Sequence, residues 1–170
     1  MSGRSWTQRV VAAASLDVNL YEEVEADTTA TGQAAAVVAL ASIAHGIGAS
    51  SHGNLVGALV GSLVGWVIWA GLTYFIGSRI FHGTATWGEL ARTLGFAQSP
   101  GLLYVLGVLP LLGGVIVWVI GVWILIAGII AIRQALDIST GKAVAVALVG
   151  WLVLVLCTLL LGGLMFGAFR

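Results

Sequence analysis

No Asp, Glu, Lys or Arg stands between Asp27 and Arg79, and two more charge-free runs follow, from Thr93 to Ile132 and from Ala143 to Phe169. A charged side chain at the centre of a membrane helix costs about 2.5 to 3.5 kcal/mol, so charges mark where spans end. A span needs about 20 apolar residues. The first run therefore holds two spans, about 30–48 and 54–77, parted by the turn GASSHGN at Gly48 to Asn54. The second run is broken at Pro110 and Gly113-Gly114, where a helix stops and restarts, and holds spans at about 97–111 and 113–133. The third run, without such a break, gives one tilted span at about 143–167. The chain thus reads as all-α, a polytopic membrane helix bundle of five transmembrane helices. A cytoplasmic segment, 1–27, precedes a membrane domain, 28–170.

Composition agrees, with 59% hydrophobic and only 8% charged residues, outside the balance of a soluble domain. Lipid offers no water to an open strand's backbone, which leaves helices or a closed barrel. Barrel strands alternate polar and apolar residues, whereas Val115 to Ile132 is apolar or glycine throughout. The formal charge is zero and no basic run exists, which excludes nucleic acid as a partner. The N-terminus turns acidic before any long apolar stretch and lacks the order of regions of a signal peptide. Cys157 has no second cysteine to pair with and reads as a small hydrophobe.

Five spans with a cytoplasmic N-terminus put Arg4, Arg9, Arg79, Arg92, Arg133 and Lys142 on one side, as cytoplasmic loops demand, and leave only Arg170 outside. Span three is the short one. Pro100 to Leu109 as an α-helix reaches only about 15 Å, half a bilayer. A re-entrant arm would put Arg133 and Lys142 outside, so the charges favour a short full crossing.

Two segments outside the spans have helical periodicity. Trp87, Leu90, Ala91 and Leu94 share one face, with Glu89, Arg92 and Thr93 opposite. This predicts a short amphipathic interfacial helix between spans two and three, anchored by Trp87, Leu90 and Leu94, with Glu89 beside Arg92; a mere connector is the alternative. Leu20, Tyr21 and Val24 face away from Glu22, Glu23 and Glu25 on a short acidic helix. Those carboxylates either dock a cytoplasmic protein partner or are simply solvated. Asp27 suits the N-cap of span one.

Gly53, Gly57, Gly61 and Gly65 recur every fourth residue in span two, and Gly114, Gly121 and Gly128 every seventh in span four. Such stripes let helices approach closely, the first at a right-handed crossing and the second along a left-handed neighbour. Both serve packing within the bundle or association with other membrane proteins or a second copy.

Chemistry has little to rest on. His45 and His52 fall near the outer face and His82 inside, so they cannot share a metal ion. No Asp, Glu, Lys or Arg lies at membrane depth, where pumps and coupled transporters place them. Ser62, Thr73 and Thr158 have no base at a matching depth, and no phosphate-cradling loop occurs. The chain is expected to be no enzyme and to carry no cofactor.

The stretch Leu94 to Pro110, LGFAQSPGLLYVLGVLP, resembles the cytoplasmic approach to span three in the Yip family, the Ypt-interacting proteins. Gly95, Phe96, Pro100 and Pro110 occupy the family's motif positions. The resemblance implies five spans, an external C-terminus and an adaptor role, since eukaryotic members associate with Rab-type GTPases and with one another. The short segment before span one is like that of compact prokaryotic members, which implies a bacterial cell membrane. The leading expectation is a noncatalytic scaffold or adaptor. The alternatives are an accessory structural subunit of a larger membrane complex, and an uncoupled channel or lipid or solute carrier. The last of these requires a polar cavity.

Overall fold

The computed structural model describes residues 4–48 and 55–168. The turn after Gly48, with His52, Gly53 and Asn54, and the terminal Arg170 lie outside the described residues. Among the described residues there are seven α-helices, two 3-10 helices and no strand. In order they are α1 (Trp6–Ala14), α2 (Val18–Ala26), a 3-10 turn (Thr28–Ala30), α3 (Thr31–Gly48), α4 (Leu55–Arg79), α5 (Trp87–Phe96), a long 3-10 helix (Ser99–Val108), α6 (Gly113–Leu136) and α7 (Thr140–Ala168).

Among the described residues, three helical stretches are long and apolar enough to cross a membrane: Thr28–Gly48, Val56–Arg79 and Gly113–Leu136. In α7 the stretch Thr140–Leu154 is apolar but shorter. The segment expected to form span three is not an α-helix. Pro100 opens it as a 3-10 helix of 10 residues, and a rise of about 2.0 Å per residue carries it about 20 Å rather than 15 Å. Three residues per turn also line up Gly101, Tyr104 and Gly107, and this segment packs most closely on α3. A Cβ on Gly48 would overlap the Tyr104 carbonyl oxygen, and one on Gly101 would lie 3.0 Å from Ala41 Cβ. Small residues seven apart on α3, Ala34, Ala41 and Gly48, form the other side of this seam.

Side-chain caps set the ends of the short helices. Ser5 and Gln8 cap α1 reciprocally, and Thr86 and Glu89 do the same for α5. Asp17 caps α2, and Asp27 caps the 3-10 turn that leads into α3. At the far end of α6, Asp137 adopts the left-handed conformation (φ 52°), and its amide returns to the Arg133 carbonyl.

The helix α5 lies where the periodicity predicts, and other helices enclose it on both faces. Leu90 is fully buried and Leu94 is 3% exposed. Its polar face is buried too, since Arg92 and Thr93 are enclosed. The reason is local. A Cβ on Gly95 would lie 2.7 Å from Ala34 Cβ, so α5 meets α3 nearly backbone to backbone, and α2 covers its other side. Of the three expected anchors only Trp87 stays partly exposed, at 41%.

Candidate functional site

Two regions of this fold hold polar groups in organised sets. The first is the charged end of the bundle. There Arg9, nearly buried, forms ion pairs with Glu23 (3.0 Å) and Asp27 (2.7 Å) and donates to Gln33 Oε1 (3.1 Å). Arg4 pairs with Asp17 at 2.8 Å. One arginine fork thus joins α1, α2 and the start of α3, because a guanidinium presents several donors in a fixed plane. Hydrogen bonds from Thr29 and from Arg9 hold the Asp27 carboxyl below its ordinary range. Leu20, Tyr21 and Val24 are fully buried, and Trp123 of α6 donates from its indole to the Ala14 carbonyl (2.8 Å).

Arg92 completes this joint. Its Nε donates to the Val24 carbonyl (2.9 Å) and its Nη2 to the Glu25 carbonyl. Both acceptors belong to the last turn of α2, whose carbonyls have no partner in their own helix and carry partial negative charge. The expected Glu89–Arg92 contact is absent from the ion pairs among the described residues. Glu89 instead accepts from the Thr86 amide at 2.7 Å.

Of the three acidic residues expected to dock a partner, only Glu22 is exposed, and it accepts from Gln134 Nε2 (2.7 Å); Glu23 is held by the arginines. Burial pushes the Glu25 carboxyl up to about 7, and the charges of Glu89, Asp137 and Glu22 add to the rise. A carboxyl with a raised folded value binds more protons folded than unfolded. Its contribution is therefore greatest below about 4.5, falls as pH rises toward about 7, and is flat beyond. The melting temperature is expected to drop across that window, and Glu25→Gln to remove most of the drop; thermal unfolding at a series of pH values checks both.

The second region lies between the spans. A cleft of about 560 Å³ separates α3 from α4 and reaches the start of the long 3-10 helix. Its polar lining is Ser42, His45, Ser62, Gln98 and Tyr104. The Ser62 hydroxyl lies 2.9 Å from that of Ser42 and donates to the Ala58 carbonyl at 2.9 Å. The His45 and Tyr104 rings meet edge to face at 4.8 Å. Among the described residues the side chains of His45, Gln98 and Tyr104 make no hydrogen bond. A second, mostly apolar cleft of about 320 Å³ adjoins the first, and Trp69, Leu94 and Gln98 line both.

Two glycines of each stripe open onto these clefts. A Cβ at Gly61 or Gly65 would have nothing within 4 Å, so no helix crosses closely there. Both residues line the larger cleft. Gly57 is exposed, and Gly53 lies outside the described residues. Gly121 and Gly128 line the apolar cleft, while Gly114 faces open space. The close approaches fall instead on Gly48, Gly77, Gly83, Gly95, Gly107 and Gly113. Of the family-motif positions, Gly95, Phe96 and Pro100 are buried at the contact with α3, and Pro110 is exposed. His82 takes a left-handed backbone (φ 58°) in the turn after α4. No group of three His, Cys, Asp or Glu among the described residues could hold a metal.

Sequence reasoning missed α1, the joint at Arg9 and the polar cleft. Ser5-x-x-Gln8 is a capping-box signal for α1, and Gln98 is a lone side-chain amide inside a charge-free run.

No curated protein and no solved structure matches the chain. A family model described as the Yip1 domain matches residues 19–162, from α2 into α7. The buried Gly95-Phe96 step and Pro100, on which the resemblance rested, fall within it. With most of its length covered, and with apolar helices long enough for a membrane, the chain belongs to the Yip1 domain family of membrane proteins.

Proposed function

We propose that the protein is a noncatalytic membrane scaffold or adaptor, crossing a bacterial cell membrane five times with its N-terminus cytoplasmic and its C-terminus external. In this reading α3, α4, α6 and α7 are full spans and the long 3-10 helix is a short fifth. The observation that carries the role is the fixed joint at the charged end. Arg9 and Arg92 hold α1 and α2 against α3 and α5, so two helices outside the spans form one preorganised surface with the bundle. Preorganisation lowers the entropic cost of binding a partner. That surface is acidic around Glu22, Glu89 and Asp137, which suits a partner with a basic face.

Photo-crosslinking residues placed at Glu22 and Glu89 in native membranes test the proposal. Discrete adducts to cytoplasmic proteins are expected, reduced about tenfold by Arg9→Ala, which loosens the joint. A stoichiometric large complex surviving purification would support an accessory subunit instead. Adducts to lipid alone would overturn the role.

A further inference from the structure

The larger cleft contains a primary amide at the middle depth of a span. Gly95 meets Ala34 and Gly101 meets Ala41, so Gln98 lies level with the centre of α3. Its side chain has no hydrogen-bond partner among the described residues, and neither has the Tyr104 hydroxyl. In hydrocarbon an unpartnered amide or hydroxyl costs several kcal/mol, because no water replaces the missing bond. Such groups persist where something else supplies the partner. The lining of both clefts, among the described residues, includes no Asp, Glu, Lys or Arg. Phosphate and carboxylate headgroups are recognised by arginine, lysine or open helix N-termini. With His45 the one basic side chain among the described lining residues, this chemistry favours a neutral partner that offers both donors and acceptors.

Shape narrows it further. The apolar cleft adjoins the polar one across Trp69, Leu94 and Gln98 and is walled by Ile124, Ile129 and Leu154. A ligand with a neutral hydrogen-bonding head and a hydrocarbon tail fills both. We propose that the paired clefts bind a neutral glycerolipid with a free hydroxyl, of the diacylglycerol class, its head hydrogen-bonded by Gln98 and the Ser42–Ser62 pair and an acyl chain in the apolar cleft. Gly61, Gly65, Gly121 and Gly128 thus leave room for a lipid. This site is independent of the scaffold reading, which rests on the charged end.

The full-length protein in phosphatidylcholine nanodiscs is labelled with a photoactivatable diacylglycerol or with a phosphatidylglycerol bearing the same acyl chains. Diacylglycerol is expected to label it at least about tenfold more strongly, with adducts on α3, α4 and the 99–108 segment. Gly65→Leu fills the larger cleft where nothing lies within 4 Å, so it folds and loses about tenfold of the labelling. Gly114→Leu, away from both clefts, leaves labelling intact. Gln98→Leu abolishes the preference for diacylglycerol while an all-hydrocarbon probe still enters. Equal labelling of wild type and Gly65→Leu would overturn the site, as would a preference for phosphatidylglycerol. So would disulfide-linked dimers of Ser62→Cys in a Cys157→Ala background, since a second copy would then fill the cleft.

Discussion

Replacing Arg92 with alanine is expected to lower stability by about 3 kcal/mol, since hydrogen bonds to a charged group are worth about 1.5 to 3 kcal/mol each. The loss has two parts. The carbonyls of Val24 and Glu25 lose their donors in a closed site, and a long buried side chain leaves a void between α2 and α5. Arg92→Lys is expected to lie between wild type and alanine, because one ammonium lacks the planar fork that reaches both carbonyls. Thermal unfolding in nanodiscs gives the magnitude. Amide exchange across α2 gives the location: Val18–Ala26 should exchange faster in Arg92→Ala while α6 stays protected. An unchanged exchange rate in α2 would show that the guanidinium does not hold it.

Gly48→Ala is expected to cost about 3 kcal/mol, at the upper end of overpacking penalties. The added methyl group would overlap the backbone carbonyl of Tyr104, which cannot rotate away as a side chain could. The seam between α3 and the long 3-10 helix must open to admit it. Gly95→Ala should cost less, about 1 to 3 kcal/mol, since its nearest new neighbour is Ala34 Cβ at 2.7 Å. Gly61→Leu, at a position the sequence marks as a packing glycine, is expected to leave the melting temperature within a few degrees of wild type. The ranking of these three variants in one thermal series checks the whole account of the glycines. A Gly61→Leu variant less stable than Gly48→Ala would refute it.

That contrast shows what sequence could and could not reveal. The charge-free runs located α3, α4 and α6, because the cost of burying charge in lipid acts on each residue alone. The apolar side of α2, at Leu20, Tyr21 and Val24, and the Asp27 cap followed from local periodicity and local hydrogen bonding. Close helix contact is a property of pairs. Gly61 and Gly65 have the right spacing but no partner opposite, whereas Gly48 is matched across the seam by a 3-10 helix. A period of three at Gly101, Tyr104 and Gly107 was the available sign, and a search for four- and seven-residue stripes passes over it. The burial of α5 was hidden for a similar reason. Arg92 looks like an exposed charge until the carbonyls of α2, 68 residues earlier in the chain at Val24, are brought to it. Gln98 escaped because a lone uncharged amide does not interrupt a hydropathy pattern.

The placement of Arg92 also bears on synthesis, since its acceptors at Val24 and Glu25 come earlier in the chain. The chain is made from its N-terminus, so α2 is complete before α5 leaves the ribosome. The acceptors for the guanidinium are then already waiting when the charge arrives. Arg92 therefore need not enter the closed interior without partners. The residue that looks most expensive to bury is thus enclosed on acceptors that precede it in the chain.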